Sequence, residues 1–299
     1  KNARPHPHGR TTDVTTPTPT ALLGHGSTTT IITPDEQREL MARAIESWNL
    51  PAGARILVLA PDFTRFHSGA GELTSMLYQL VGDRVRVDVM PTLGTHMPME
   101  REELETMYPG IPLDRFLVHN WRTDTVSLGE IPSSFIEEQS EGKLHYAMNA
   151  EVNRAVVQGG YDLVVSIGQV VPHEVIGMAN HNKNVFVGAG GADFLNKSHF
   201  LGAVYGMERI MGRMDTPVRA VTDYAESLLP DHVRIVYVLT VKAGDGEGRL
   251  HLRGLYIGEG KEPYYHAARL AQQANLTLLD EPIRKALVYL DPREFRSTW

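Results

Sequence analysis

The chain has 299 residues, of which 42% are hydrophobic and 22% are charged, and its formal net charge is −7 with no cysteine. This composition is that of a globular protein and excludes disorder of the whole chain. The lack of cysteine excludes disulfides, thiolate metal sites and cysteine nucleophiles. No basic stripe suits nucleic acid and no apolar run is long enough to span a membrane, so we expect a cytoplasmic protein with neither partner.

The amino-acid composition changes between residues 1–32 and the first predicted helix. Residues 1–32 are rich in threonine and predict an extended lead-in segment. Thr33 followed by Pro34 and two acidic residues is typical of a helix start, and the helix is predicted to run to Trp48. The apolar run 55–60 then predicts a buried strand.

Helices and strands continue to alternate along the chain. Helices are predicted at 71–80, 100–107, 149–158 and 263–276, and strands at 85–90, 163–167, 185–187 and 234–241, with a hairpin turn at 244–246. This order predicts an α/β fold with a mostly parallel sheet and helices on both faces. We assign residues 33–278 to this domain. A predicted strand at 286–290 suggests that 279–299 begin a second, incomplete α/β domain.

Ligands of such sheets collect beyond the carboxyl ends of the strands, where two short polar clusters lie. Asp62 and Arg65 follow the first strand, and the guanidinium of arginine suits a carboxylate or phosphate. A structural salt bridge is the alternative. His96, after Gly94 and Thr95, follows the next strand and is placed to exchange protons near neutral pH. An ordinary surface histidine is the alternative there.

A third cluster, residues 172–184, crowds Asn, His and Lys between two apolar segments. Burial there would lower the pKa of Lys183 and make its amine nucleophilic, whereas a polar surface loop would leave it an ordinary lysine. His199 follows a run of glycines. A single histidine is a poor metal site, so this residue becomes a credible ligand only if a cofactor supplies the others.

Taken together, these segments resemble the lactate racemase family. The family's elements are an Asp-x-Thr-Arg strand end, a Gly-Thr-His loop, a Pro-His pair, a lysine ten residues after that histidine and a metal-binding histidine sixteen residues further on. All five occur in order within about residues 55–200, as Asp62-Phe63-Thr64-Arg65, Gly94-Thr95-His96, Pro172-His173, Lys183 and His199.

The resemblance implies a nickel-pincer nucleotide as cofactor. Lys183 would join it through a thioamide bond and His199 would complete the nickel's ligand plane. The remaining matched residues would act on the bound molecules. His96 and His173 would be general bases on opposite faces of the substrate, Asp62, Thr64 and Arg65 would contact the cofactor, and Arg65 and His181 would contact the substrate.

The implied reaction is inversion of C2 of a 2-hydroxy acid by reversible hydride transfer, with lactate, a longer 2-hydroxy acid or a sugar acid as substrate. The chain departs from the family in one stretch. Where the family commonly has Gly-Phe-Ser-Gly-Gly, this chain has Gly177-Met178-Ala179-Asn180-His181-Asn182, which is bulkier and more polar. We expect this difference to reshape the pocket beside the cofactor.

Two other functions remain open at this point. One is a non-catalytic α/β binding module derived from the same family, although retention of the lysine and three histidines argues against loss of the cofactor. The other is a zinc hydrolase, but the histidines lack the His-x-x-x-His spacing with an accompanying glutamate that such sites use.

Overall fold

A six-stranded sheet forms the centre of the fold in the computed structural model, which describes residues 22–277, 279–281 and 283–289. The strands are β1 Leu23–Gly26, β2 Arg55–Ala60, β3 Arg86–Pro91, β4 Thr125–Ile131, β5 Met148–Asn153, β6 Leu163–Gln169, β7 Pro172–His173, β8 Gly177–Met178, β9 Ile235–Gly244 and β10 Leu250–Gly258. The central sheet has the order β1-β10-β9-β6-β2-β3, and β4-β5 and β7-β8 form separate pairs.

Most of the central sheet is parallel. β3, β2, β6 and β9 pair in parallel, whereas β9 with β10 and β10 with β1 are antiparallel. The predicted mostly parallel sheet is therefore confirmed. The hairpin β9–β10 extends the sheet toward one edge with an antiparallel strand. β1 lies inside the predicted lead-in and closes that edge. Residues 1–21 of the lead-in lie outside the described residues.

Helices cover both faces of the sheet, as predicted. They are α1 Pro34–Ser47, α2 Ala70–Val81, α3 Arg101–Met107, α4 Ser133–Gln139, α5 Arg154–Gln158, α6 Ala192–Tyr205, α7 Met207–Ile210, α8 Pro217–Ser227 and α9 Glu262–Asn275. Side chains of β2 alternate between two cores: Leu57 and Leu59 pack with α6, α8 and α9, while Ile56 and Val58 pack with α1 and α2. Each face of the sheet thus buries its own apolar layer.

The start of α1 shows why its limits were predictable. The Thr33 hydroxyl accepts a hydrogen bond from the Glu36 amide, and the Glu36 carboxylate accepts one from the Thr33 amide at 2.7 Å. This reciprocal capping box satisfies two amide groups that have no partner inside the helix. Capping of this kind stabilises a helix by about 1 kcal/mol.

Two predicted elements were wrong in whole or in part. Residues 149–153 are not helical but form most of β5, because their alternating buried and exposed side chains pair with β4; only Arg154–Gln158 is helical. The predicted strand 185–187 is part of a π-helical turn, Asn184–Gly188, whose five residues are all buried. A short, fully buried apolar run does not distinguish a strand from a helical turn.

The second domain predicted at 279–299 stays a prediction. Residues 286–289 are exposed and belong to no strand, and Leu290 and 291–299 lie outside the described residues. Within the part of the chain that the structure describes, no helix combines the length and apolar character needed to cross a membrane.

Candidate active site

A cavity of about 350 Å³ opens where β2, β3 and β6 end. Its wall brings together six of the residues that the sequence singled out, together with Glu174 and Asn180: Asp62, Thr64, Arg65, His96, His173 and Lys183. The carboxyl ends of neighbouring parallel strands meet at one edge of a sheet, which explains why segments far apart in sequence converge here.

Asp62 and His96 form a hydrogen-bonded pair on this wall. The buried Asp62 begins a short 3₁₀ turn, Phe63–Ser68, in which its Oδ1 accepts from the Thr64 amide at 3.0 Å. Its Oδ2 lies 2.5 Å from Nδ1 of His96. Burial by itself raises the pKa of Asp62, but the hydrogen bonds from His96 and Thr64 outweigh it, and the pKa lies below its ordinary value. A carboxylate only accepts, so Nδ1 of His96 carries a hydrogen and Nε2 keeps its lone pair.

His173 has the opposite arrangement. Its Nδ1 accepts a hydrogen bond from the Val175 amide at 3.1 Å, so the neutral ring carries its hydrogen on Nε2. Burial, and then the charges of Lys183 and His199, lower the pKa of His173 to about 2. The two histidines therefore offer different groups: a lone pair on His96 and an N–H on His173.

Lys183 lies on the wall of the same cavity as these histidines. Among the described residues, its amine makes no hydrogen bond and no ion pair. Burial lowers its pKa to about 8, and the neighbouring charge of Arg65 adds to this effect. The amine therefore becomes neutral, and nucleophilic, at a lower pH than an ordinary lysine.

His199 lies in α6 and is not one of the residues that line the cavity, but its charge acts on His173, which does line it. Its Nδ1 is 2.7 Å from the Leu195 carbonyl oxygen, which can only accept, so Nε2 is left with a lone pair that is able to bind a metal. Burial and the charge of Lys183 lower the pKa of His199, which favours the neutral form that metals require. Within the described ranges, no three His, Asp or Glu side chains are grouped so that they could hold a metal ion by themselves.

His181 is not on the cavity wall, and this corrects the expectation that it contacts substrate. Its ring is fully buried, with ring centroids 3.8 Å from Tyr237 and 5.2 Å from Tyr264. Nε2 donates to the Gly260 carbonyl oxygen at 2.9 Å, and burial lowers the pKa of the ring to about 3. His181 is thus a neutral, buried support for the loop that precedes Lys183.

Sequence reasoning missed Asn180 and the buried Arg219 of α8. Asn180 is only 5% exposed and lies on the cavity wall, where its Nδ2 rests against Gly168: a Cβ on that glycine would be 1.7 Å from it. Asn180 and His181 both have left-handed backbone, with φ of 66° and 61°. The only sequence signal for this left-handed backbone was that Asn180 and His181 stand where the family that the chain resembles commonly has two glycines.

Comparison with protein families identifies a match over most of the region that forms the site. The family model for the lactate racemase N-terminal domain matches residues 39–210. A search of curated proteins finds no match.

Solved structures show the same fold. A Thermotoga maritima protein, determined by the Northeast Structural Genomics Consortium, matches with a TM-score of 0.76 and 24% identity, over 85% of this chain and 62% of that one. The lactate racemase apoprotein from Thermoanaerobacterium thermosaccharolyticum matches with a TM-score of 0.56 and 18% identity, over 78% of this chain and 54% of that one. This chain thus matches less than two thirds of the length of either structure.

Proposed function

The chain belongs to the lactate racemase N-terminal domain family, and we propose that it inverts C2 of a small 2-hydroxy acid or sugar acid. One observation carries the proposal. A single cavity contains two histidines with opposite hydrogen-bonding states, an arginine, and a lysine that has no hydrogen-bond or ion-pair partner in the part of the chain that the structure describes. Arginine binds a carboxylate through two parallel hydrogen bonds, so Arg65 suits the acid group that all these substrates share.

His96 is the base for the C2 hydroxyl in this proposal. Its Nε2 lone pair takes the hydroxyl proton as the carbon is oxidised, and the Asp62 carboxylate stabilises the imidazolium that forms. His173 acts on the substrate oxygen from another part of the wall. Its Nε2–H donates to that oxygen while the ring is neutral. In the reverse direction the His96 imidazolium returns its proton to the oxygen, while His173 keeps its hydrogen and continues to donate. General bases of this kind contribute about 10²–10⁴-fold to a rate.

The residues present fit a nickel-pincer nucleotide. Lys183 has a free amine on the cavity wall for covalent attachment, and His199 has a free Nε2 for nickel. When bound, this group supplies an electrophilic ring that accepts hydride from C2 and returns it. Thr64 and Arg65, at the end of β2, are the other residues that we propose to contact it.

The proposal is tested with protein produced together with the enzymes that make the cofactor. Intact mass should show an adduct that Lys183→Ala abolishes, since that variant lacks the attaching amine. The loaded protein is then assayed with lactate, longer 2-hydroxy acids and sugar acids, each deuterated at C2. Inversion that keeps most of the label in ordinary water supports hydride transfer and return.

Two results would contradict the proposal. Rapid loss of C2 deuterium to water would show a two-base proton-transfer mechanism, even if inversion occurred. Absence of any adduct, with zinc retained stoichiometrically, would instead show that the site does not hold the family cofactor.

A further inference from the structure

The loop that leads into Lys183 has an unfavourable backbone. Asn180 and His181 are consecutive and both left-handed. Such a conformation is unfavourable for a non-glycine residue and persists only where the surroundings impose it, although asparagine tolerates it better than most residues. The structure must therefore contain groups that hold this loop in place.

Arg219 is the side chain that makes most of these contacts. It projects from α8, is 3% exposed, and its guanidinium lies over the Tyr264 ring at 4.4 Å. One terminal nitrogen donates to the Met178 carbonyl oxygen at 2.5 Å. The other donates to the side-chain oxygen of Asn182 at 2.5 Å and to the Asn180 carbonyl oxygen at 3.3 Å.

The same face of α8 holds the loop with two acidic residues as well. The side-chain Nδ2 of Asn182 donates to the Asp223 carboxylate at 2.7 Å and to the Glu226 carboxylate at 2.8 Å. Asn182 therefore links the arginine to the carboxylates. Among the described residues, Arg219 itself makes no direct ion pair, so its charge is directed mainly at the loop.

We propose that Arg219 is the positioning residue of Lys183: it clamps residues 178–182 in their left-handed turn and so fixes where the lysine amine stands in the cavity. The inference rests on the proposed role of Lys183 as the attachment point. Lysine cannot replace the arginine, because only the planar guanidinium reaches three acceptors at once.

Arg219 also acts on Lys183 through its charge. Burial is the main cause of the low pKa of Lys183, the positive charges of Arg65 and Arg219 add to it, and the negative charges of Glu174 and Asp62 oppose it. Two substitutions distinguish the geometric effect from the electrostatic one. Arg219→Lys keeps the positive charge but loses the planar guanidinium, whereas Arg219→Met loses both.

The test uses the full chain without cofactor and two measurements. Amide hydrogen exchange reports the order of residues 178–182. Acylation of lysines with a water-soluble active ester, resolved by peptide mass spectrometry across pH, gives the rate and the midpoint for Lys183, with the exposed Lys285 as internal reference. Arg209→Met is the matched control, since this arginine of α7 pairs with Glu141 away from the loop.

Both Arg219 variants should increase exchange in residues 178–182, and the control should not. Arg219→Met should move the labelling midpoint of Lys183 further upward than Arg219→Lys does, because it also removes the positive charge; a difference of half a pH unit slows labelling at pH 7.5 by about threefold. Wild-type exchange and an unchanged midpoint in Arg219→Met would overturn the inference. So would a uniform rise in exchange and labelling throughout the chain, which indicates a merely structural role. Failure of the proposed function would appear differently, as absence of the wild-type mass adduct.

Discussion

Replacing Lys183 with methionine should stabilise the chain in the absence of cofactor. The ammonium is held in a largely buried place with no partner among the described residues, next to the charge of Arg65. Methionine keeps a stem of similar length and removes the charge. Residues that take part in a reaction commonly lower the stability of the folded protein.

The size of the effect follows from the pKa of Lys183, which is about 8 in the fold against 10.5 for an unperturbed lysine. A difference of this size corresponds to about 3 kcal/mol of unfavourable interaction of the charged form. Because the side chain is partly accessible from the cavity, solvent screening reduces the expected gain in the free energy of unfolding to about 1–3 kcal/mol.

The effect has a distinct dependence on pH. Below pH 8 the lysine is charged in both the folded and unfolded chains, so the whole penalty is present. Between pH 8 and 10.5 the unfolded chain binds more protons, so the stability of the wild type rises with pH and the advantage of Lys183→Met shrinks. Above 10.5 that advantage is lost.

Urea unfolding followed by circular dichroism, at several pH values from 7 upward, measures this difference. Lys285→Met is the matched control, since Lys285 is exposed and its replacement should change stability little. A Lys183→Met variant that is less stable than wild type at pH 7, or whose advantage is constant through pH 11, would refute the electrostatic reasoning.

Four further outcomes are expected. Asp62→Asn should lower kcat of the loaded protein by about 10²-fold without loss of the mass adduct, because it removes the carboxylate that orients the catalytic histidine. His199→Ala should reduce the nickel content, measured by elemental mass spectrometry, with an unchanged circular dichroism spectrum. Gly168→Ala should destabilise the fold by about 1–3 kcal/mol in urea, because its Cβ overlaps Asn180. His173, with its pKa lowered from 6.5 to about 2, makes stability fall as pH drops below 6.5; His173→Gln should flatten that part of the urea midpoint profile.

Much of the fold was predictable because buried parallel strands have a simple pattern. β2, β6 and β9 are nearly continuous apolar runs that are buried on both faces, and the polar clusters that begin at Asp62 after β2 and at His173 after β6 mark the ends of these strands. Once these strands are placed side by side, Arg65 and Lys183 must lie at the same edge. The cavity confirms that placement.

The errors arise where tertiary contacts decide the local structure. The residues of β5 have a composition compatible with a helix, and only pairing with β4 makes them a strand. The apolar turn Asn184–Gly188 is buried whichever conformation it takes. In neither segment does hydrophobic periodicity contain the deciding information.

The role of each residue in the site was harder to predict than which residues belong to the site. The sequence motif assigned Asp62 to the cofactor, but in the structure its carboxylate accepts hydrogen bonds from His96 and Thr64. Arg219 had no signal at all, because an arginine in an amphipathic helix normally belongs to the exposed face. Its function in the fold depends on a loop elsewhere in the chain.

The charge of Lys183 connects the stability of the fold with the molecule that binds in the cavity. Among the described residues, its amine makes no hydrogen bond and no ion pair, and the nearby Asp62 carboxylate is already engaged by His96. Burial therefore makes the charged form costly and lowers its pKa. An anionic molecule beside the amine reduces this cost, and a neutral one does not. The charge that makes Lys183 destabilising is thus also a reason to expect that the molecule which reaches the amine before the proposed attachment is an anion, as a nucleotide is, rather than a neutral compound.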